Sequence, residues 1–428
     1  MKPTIRLPQA IALYIGAVLG AGILIVPGLA AELAGPASLI DWGILLILVI
    51  PLALCMAFLA QKYPNSGGVA YFVTQAFGRR LGTVIGWFFL MSVPIGAPVA
   101  ALTGAGYLAA SLRLSEAMGI ILACVMLLIA FYLNHVGMRL AGKVQIIVVS
   151  AIVGLLIITI IGALPLIKDS NFEPFITHGA RGIGRASTIL FWCFIGWEAV
   201  SHLSSEFVNP DKDVVRATII SAVIIGILYF LNAYVVIGTD SYQMHEEAAL
   251  VAVAKRAFGT IGAVCVGAAG FLICLATVIT YIGAASRLAR TLADQGNAPR
   301  WLACTSSKYK TPTGGLLFLM SCFALILTLY STRILNLAQL IQLPNATFLL
   351  NYLGGCAAGV VLFRGDKSKM TVSIVSFAAT LFMCLFLGWA LLYPAAVLLF
   401  TFFQQYVLQK YHSKTHASMK QKKKSTAT

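Results

Sequence analysis

Charge is what this sequence has least of. Only 10% of its 428 residues are charged against 60% hydrophobic, and acids are scarcest: 14 Asp and Glu against 30 Lys and Arg. A soluble globular chain carries about 25% charged residues, so a water-soluble enzyme or binding module is excluded. No P-loop, HExxH helix or nucleophile elbow occurs. The loops are too short for a separate soluble domain or an ATP-binding cassette. No paired acids, metal cluster or nucleophile–base set supports an intramembrane enzyme. No filter-like motif or charged ring supports a channel. The nine cysteines lack the paired spacing of a zinc site and suggest no disulfide framework. Cys55, Cys124, Cys193, Cys265, Cys274, Cys322, Cys356 and Cys384 fall in apolar stretches and read as small core residues; Cys304 sits in a polar loop.

What is present is a run of apolar stretches near twenty residues long, from Pro8–Ala31 to Thr371–Gln409, the signature of transmembrane helices. A β-barrel would need short alternating strands instead. The first stretch is too long for a signal-peptide core and reads as a retained span. The spans fall near residues 8–31, 39–60, 82–112, 117–136, 144–166, 186–205, 214–238, 259–286, 314–332, 336–362, 371–388 and 390–408. At 1.5 Å per residue the last uncharged run is too long for one helix, and Gly388-Trp389 is the place to turn. With the N-terminus inside, only Arg113, Lys168, Arg181, Arg185, Lys255, Arg256 and Arg333 of the 30 Lys and Arg fall outside. That is the asymmetry of the positive-inside rule, and it puts both termini in the cytoplasm. The net charge of +16 is then mostly topology, which argues against nucleic acid as a partner. The basic tail, 410–428, reads as solvated, with anionic membrane lipid as its other possible contact.

Two spans are interrupted. "GAVLGAGIL" puts Gly16, Gly20 and Gly22 in the first, although each glycine costs a helix roughly 1 kcal/mol relative to alanine. One reading is a small-xxx-small packing face. The sixth span carries "FWCFIGWEAVSH", where Gly196 adjoins Glu198 in mid-membrane. Two interruptions five spans apart are the mark of transporters built from inverted repeats, whose site lies between discontinuous helices.

At these residues the chain resembles the amino acid–polyamine–organocation superfamily of transporters. The likeness covers roughly Leu7–Pro299. It rests on Gly16-x-x-x-Gly20-Ala21-Gly22-Ile23 with Pro27, on "YPNSGGVAYFVTQAFG", "FIGWE" and "EFVNPDKDVVRA", and on "SRLARTLADQGNAP". "SVPIGAPVAA" and "FWCFIGWEA" look most like bacterial exporters of methionine and branched-chain amino acids. The resemblance implies an all-α polytopic membrane protein of the LeuT-type fold: two inverted five-helix repeats plus two C-terminal helices, about 12 transmembrane spans. It makes residues 1–409 one transporter domain in the cell membrane, with repeats near 8–166 and 186–362 and the last two spans in 371–408.

It also implies a site. Backbone N–H groups around Gly20, Ala21, Gly22 and Ile23 would take a substrate carboxylate at a helix start. The carbonyls of Val18, Trp192 and Ile195, beside Gly196, would take the ammonium. Ser92, Val93 and Ala97 would line the third span, and Tyr281 the eighth, either as packing aromatic or as gate. An uncharged pocket of this kind fits a neutral aliphatic or thioether amino acid; an arginine or polyamine would leave a buried unpaired cation. Pro94 and Pro98 read as kinks, Gly67-Gly68 as a turn into an interfacial half-helix, and Arg287 and Arg290 as topology and loop contacts.

One departure stands out. Many relatives keep a lysine in the fifth span in place of a bound sodium ion. Here that position, seven residues past Gln145, is Ile152, and Lys143 lies at the cytoplasmic edge. No carboxylate is placed for sodium, so no cofactor is expected beyond a proton gradient. Glu198, His202 and Glu206, four apart, would stack on one helical face and are the coupling candidates; their other reading is structural. The functional expectation is a proton-linked secondary transporter or exporter of neutral amino acids, with an uptake permease or exchanger, or a non-transporting amino acid sensor, as alternatives. Preferred substrate and oligomeric state are not written in these features.

Overall fold

Two glycines divide the first apolar stretch into two helices. The structure, a computed structural model, describes residues 3–20, 22–179, 182–184, 186, 190, 193, 195–243, 249–385 and 387–404. Helix α1 (Leu7–Leu19) starts at Pro8, whose missing N–H is no loss in a first turn, and stops at Gly20, where φ is 40° and ψ −161°. Helix α2 (Gly22–Ala34) then resumes. Neither half, at 13 residues, could span a bilayer alone.

The remaining helices follow in chain order. They are α3 (Ser38–Lys62), α4 (Gly68–Phe77), α5 (Arg79–Ser111), α6 (Glu116–Val136), α7 (Met138–Ala163) and the short α8 (Trp197–Ser201). After these come α9 (Pro210–Gly238), α10 (Ala249–Asp294), α11 (Thr313–Ser331), α12 (Leu337–Leu362), α13 (Lys367–Cys384) and α14 (Leu392–Gln404). Their starts are chemically marked. Ser115, Asn336 and Asp366 each accept a backbone N–H from the first turn they cap. Pro210 opens α9 with Asp211 and Asp213 at its positive end. Gly388, at φ 51°, makes the turn into α14.

Eight helical stretches are long and apolar enough to cross a membrane, while Leu7–Leu19 and Leu392–Gln404 are shorter apolar helices. Among the described residues there is no strand, only an isolated bridge between Ile5 and Phe207. The outer surface is apolar: Ile47, Ile147 and Ile261 are each at least 70% exposed, the face that lipid rather than water would cover. The chain is a polytopic helical membrane protein.

Helices α5 and α10 pack along their lengths and form the axis of the bundle. Helix α1 lies against α7, α9 and α10, and α12 against α4, α5 and α13. Helix α10 begins ten residues ahead of the expected span, because left-handed Gly259 (φ 65°) joins a short outer helix to the long one. The prolines Pro94 and Pro98 lie inside the 33-residue α5.

Three expectations need correction. Glu198, His202 and Glu206 do not share one helical face, since α8 ends at Ser201 and Ser204–Glu206 is a 3-10 turn. Arg287 is no loop residue: it is 2% exposed and paired with Glu206, whereas Arg290 pairs with Asp294 on a half-exposed face. Cys265 is exposed on α10 rather than in the core. Ala21, Trp192 and the 410–428 tail lie outside the described residues.

The α5–α10 contact depends on small residues. A Cβ on Gly104 would fall 2.6 Å from Cys274 Cβ and 3.1 Å from the Gly270 carbonyl oxygen. Two turns of backbone cannot both yield, so Gly104→Ala should cost about 1–3 kcal/mol. Gly106 on the same helix has nothing within 4 Å, and Gly106→Ala should leave stability unchanged or slightly raised. Thermal unfolding of the two variants in detergent checks this; equal midpoints would contradict it.

Candidate functional site

The two breaks face each other inside the bundle. Gly196, at φ 141°, presses its Cα so close to α1 that an added Cβ would sit 2.8 Å from the Ala17 carbonyl oxygen and 2.8 Å from Val18 Cγ2. Only glycine fits there, on both conformation and space. From α9, the Tyr229 hydroxyl reaches the carbonyls of Val18 (3.1 Å), Leu19 (2.9 Å) and Cys193 (3.1 Å), so it stands at both breaks at once. One turn on, Asn232 donates to the Ile23 carbonyl at 2.5 Å. From α10, Thr277 donates to the Gly16 carbonyl at 2.6 Å. Tyr229 and Thr277 thus answer carbonyls at the end of the broken α1, while Asn232 answers a carbonyl left without its helical partner because Pro27, four residues on, has no N–H.

The start of α8 is already occupied. The Tyr352 hydroxyl oxygen, from α12, accepts from the N–H groups of Gly196 (3.0 Å), Trp197 (3.0 Å) and Glu198 (3.4 Å). Glu198 Oε2 folds back to accept from Gly196 N–H at 3.0 Å, and Oε1 accepts from the Tyr281 hydroxyl at 3.0 Å. Glu198 is therefore fully buried among hydrogen-bond donors rather than beside a cation. That arrangement leaves no opening for a ligand carboxylate at this break. At the other break the space is different. Among the described residues a Cβ on Gly20 would meet only Thr277 Oγ1 at 3.6 Å and the Val18 carbonyl oxygen at 3.8 Å, so these leave room beside Gly20.

An aromatic wall closes one side. Phe89, Tyr281 and Phe348 pack pairwise, with centroids 5.4–6.1 Å apart. His202 lies on Phe89 at 4.2 Å, with Nδ1 3.4 Å from the Ser66 carbonyl oxygen and Nε2 buried without a partner among the described residues. Its ring also fills the space that a side chain on Gly68 would take, and Gly68, at φ 51°, opens α4.

The sequence-derived candidates meet this geometry unevenly. Val18, Gly20, Gly196 and Tyr281 lie at the breaks or on Glu198. Gly22 is pressed against Cys193, whose Sγ lies 2.7 Å from where its Cβ would be. Packing against the sixth segment therefore already explains that glycine. Ile23 offers its carbonyl to Asn232, and Ile195 sits in the turn before Gly196. Ser92 spends its hydroxyl on the Phe88 carbonyl and Thr347, both at 2.6 Å. Val93 and Ala97 are buried on α5, but α5 reaches the site through Ser92 and Phe89. Gly16 packs on Gln145 and Ala276, the packing-face reading of that glycine. Ile152, at the position where the resemblance implied a lysine, is buried in α7, while the Gln145 amide donates to the Ala276 carbonyl and Thr280.

The residues that sequence reasoning missed are Tyr229, Asn232, Thr277, Thr347 and Tyr352. A signal existed for some: Tyr229 and Asn232 are three apart on one face of an apolar span, and Asn351-Tyr352 interrupts another. Chemically, the site offers backbone carbonyls at both breaks, shared among a few hydroxyl and amide donors, and the N-terminal end of α2 beside Gly20. A small zwitterion matches those groups, and no described cluster of His, Cys, Asp or Glu could hold a metal ion.

Residues 5–415 match the family model described as amino acid permease. An uncharacterized amino acid permease, YecA of Bacillus subtilis, is 34% identical over 390 residues, covering 91% of this chain and 92% of that protein. The L-methionine/branched-chain amino acid exporter YjeH of Escherichia coli is 33% identical over 404 residues, covering 93% and 95%. The branched-chain amino acid permease BcaP of Bacillus subtilis is 25% identical over 411 residues, covering 88% and 86%.

The Gly22–Cys193 contact yields a test. Gly22→Ala drives its Cβ into Cys193 Sγ at 2.7 Å, but Cys193→Ala leaves the ordinary contacts with Cα at 3.4 Å and Cβ at 3.5 Å. Folded yield, by fluorescence-detected size exclusion, should fall several-fold for Gly22→Ala and recover in the double variant. If the double variant folds but fails in substrate exchange, the space at Gly22 serves the ligand as well as the packing.

Proposed function

The chain belongs to the amino acid permease family, a family of transporters rather than enzymes, and from that premise we propose a secondary transporter of neutral aliphatic or thioether amino acids. The observation that carries the reading is the meeting of two helix breaks in a bundle interior. Backbone released from helical pairing at such depth is tolerated only where side chains or a ligand take it up, and here it adjoins the space that the described residues leave at Gly20. The N–H groups from Gly20 to Ile23 receive the substrate carboxylate. The carbonyls now met by Tyr229 receive the ammonium. No free buried cation or anion adjoins this space among the described residues, which favours an uncharged side chain. The 33% relative named for export of L-methionine and branched-chain amino acids supports the same substrate class.

In this reading residues 1–409 form one LeuT-type domain of twelve crossings, with repeats near 8–166 and 186–362 and both termini cytoplasmic. Alternating access moves the substrate, in the direction of export. The driving ion is the proton, sodium having no carboxylate placed for it. Of the three coupling candidates, Glu198 and His202 remain: both are buried beside the break, and neither has a charged partner among the described residues. Glu206 is engaged by Arg287.

Purified protein in liposomes, assayed for counterflow of labelled amino acids with and without a pH gradient, tests the reading. Methionine, leucine, isoleucine and valine should exchange at least about tenfold faster than arginine, since an unpaired buried cation costs several kcal/mol. Binding without counterflow would make the protein a sensor. His202→Gln should keep exchange but lose its acceleration by the gradient. Glu198→Gln should lose that acceleration and slow exchange as well, because the carboxylate also pairs Gly196 and Tyr281. A full response to the gradient in both variants would remove proton coupling from these residues.

A further inference from the structure

Away from the breaks, two of the nine cysteines are placed against each other. Cys55 on α3 and Cys356 on α12 are both 0% exposed, and their thiols share a hydrogen bond. The Cys55 thiol also donates to Ser373 Oγ at 3.4 Å, and the Ser373 hydroxyl donates on to the Lys369 carbonyl at 2.8 Å, both on α13. The Cys55 proton therefore has an acceptor of its own, apart from Cys356.

The backbone explains why these short side chains meet. Helix α12 turns two glycines, four apart, toward α3. A Cβ on Gly355 would lie 2.7 Å from Met56 Cε, and one on Gly359 would lie 2.9 Å from Cys55 Sγ. Small residues at that spacing let two helices approach closely, and a disulfide needs its Cα atoms within about 4.4–6.8 Å. The register agrees. Lys62, the last residue of α3, donates through Nζ to the carbonyl of Leu362, the last residue of α12, at 3.3 Å. Cys55 stands seven residues before the first and Cys356 six before the second, so both lie about 10 Å in from paired helix ends.

We propose that Cys55 and Cys356 are a redox pair, closed into a disulfide between α3 and α12 by a small uncharged hydroperoxide. The Cys55 sulfur attacks one peroxide oxygen, the O–O bond breaks, and a sulfenic acid forms as an alcohol or water leaves. The Cys356 sulfur then displaces the hydroxyl on Cys55 as a second small molecule, water. Both thiol protons depart on the two peroxide oxygens; the sulfurs lose two electrons and the peroxide gains them. Depth selects the oxidant, since a fully buried pair is reached by a small neutral molecule and not by charged glutathione disulfide. A neutral dithiol returns the electrons and reopens the pair. While closed, the bond ties to α3 the helix whose Tyr352, one turn before Cys356, fills the start of α8.

A cleavable chain tests this without any transport assay. A protease site is placed in the exposed loop at Lys308, which lies between Cys55 and Cys356 in the sequence. The full-length protein in its membrane is treated with hydrogen peroxide or with glutathione disulfide, blocked with N-ethylmaleimide in denaturant, and only then cut. On a non-reducing gel the parent's two fragments should stay joined about tenfold more after peroxide than those of Cys55→Ala or Cys356→Ala, and should part in dithiothreitol. Glutathione disulfide should join them no more than buffer does. Parent fragments that separate after peroxide, or variant fragments that stay joined as often as the parent's, would overturn the redox pair. Joining by glutathione disulfide as fast as by peroxide would overturn the buried, neutral route. If an alanine variant does not fold, Cys55→Ser and Cys356→Ser, closer in size, serve as the unlinked chains under the same expectation.

Discussion

A peptide group in a dry interior must have a partner, and that requirement organises this molecule. Breaking α1 at Gly20 and starting α8 at Gly196 frees N–H and C=O groups from two helices at the same depth. The neighbouring helices each send in a polar side chain in answer: Tyr229 from α9, Thr277 from α10, Tyr352 from α12. These residues are not a scattered polar set. They are the complement of two helix ends, and the helices carrying them are fixed where that complement can reach.

The two breaks are treated differently, and the difference bears on function. At α8 the N–H groups are satisfied from within the protein, by a phenol and by the carboxyl of Glu198 in the same turn. That half-helix end is closed chemistry. At Gly20 the space beside the backbone stays open. A site formed between a finished end and an unfinished one has a built-in polarity: a zwitterion has one sensible way round in it.

Much of the fold was legible because membrane helices announce themselves by apolar runs and by the residues that stop them. The glycines at Gly20, Gly196 and Gly388 marked breaks and a turn at the right positions, since left-handed or strained backbone there needs them. What failed to show were contacts between distant segments. The 198–202–206 spacing described a helix that the chain abandons at Ser201, because the turn at Ser204–Glu206 is held instead by Asn65 and the N-terminal residues. Arg287 looked like a topology signal because its partner is 81 residues away. Gly22 looked like ligand space, yet its nearest neighbour is a cysteine from the other interrupted segment. Spacing rules read one helix at a time, and the site is made of many.

The position of Tyr229 carries an arithmetic of its own. A phenol has a single proton to give, and the Val18, Leu19 and Cys193 carbonyls all lie within 3.1 Å of its oxygen. At any instant at least two of them are without that proton. An ammonium group brings three. The resting protein thus holds the two breaks together with one proton shared among three acceptors, and three is the number of protons that an ammonium group carries.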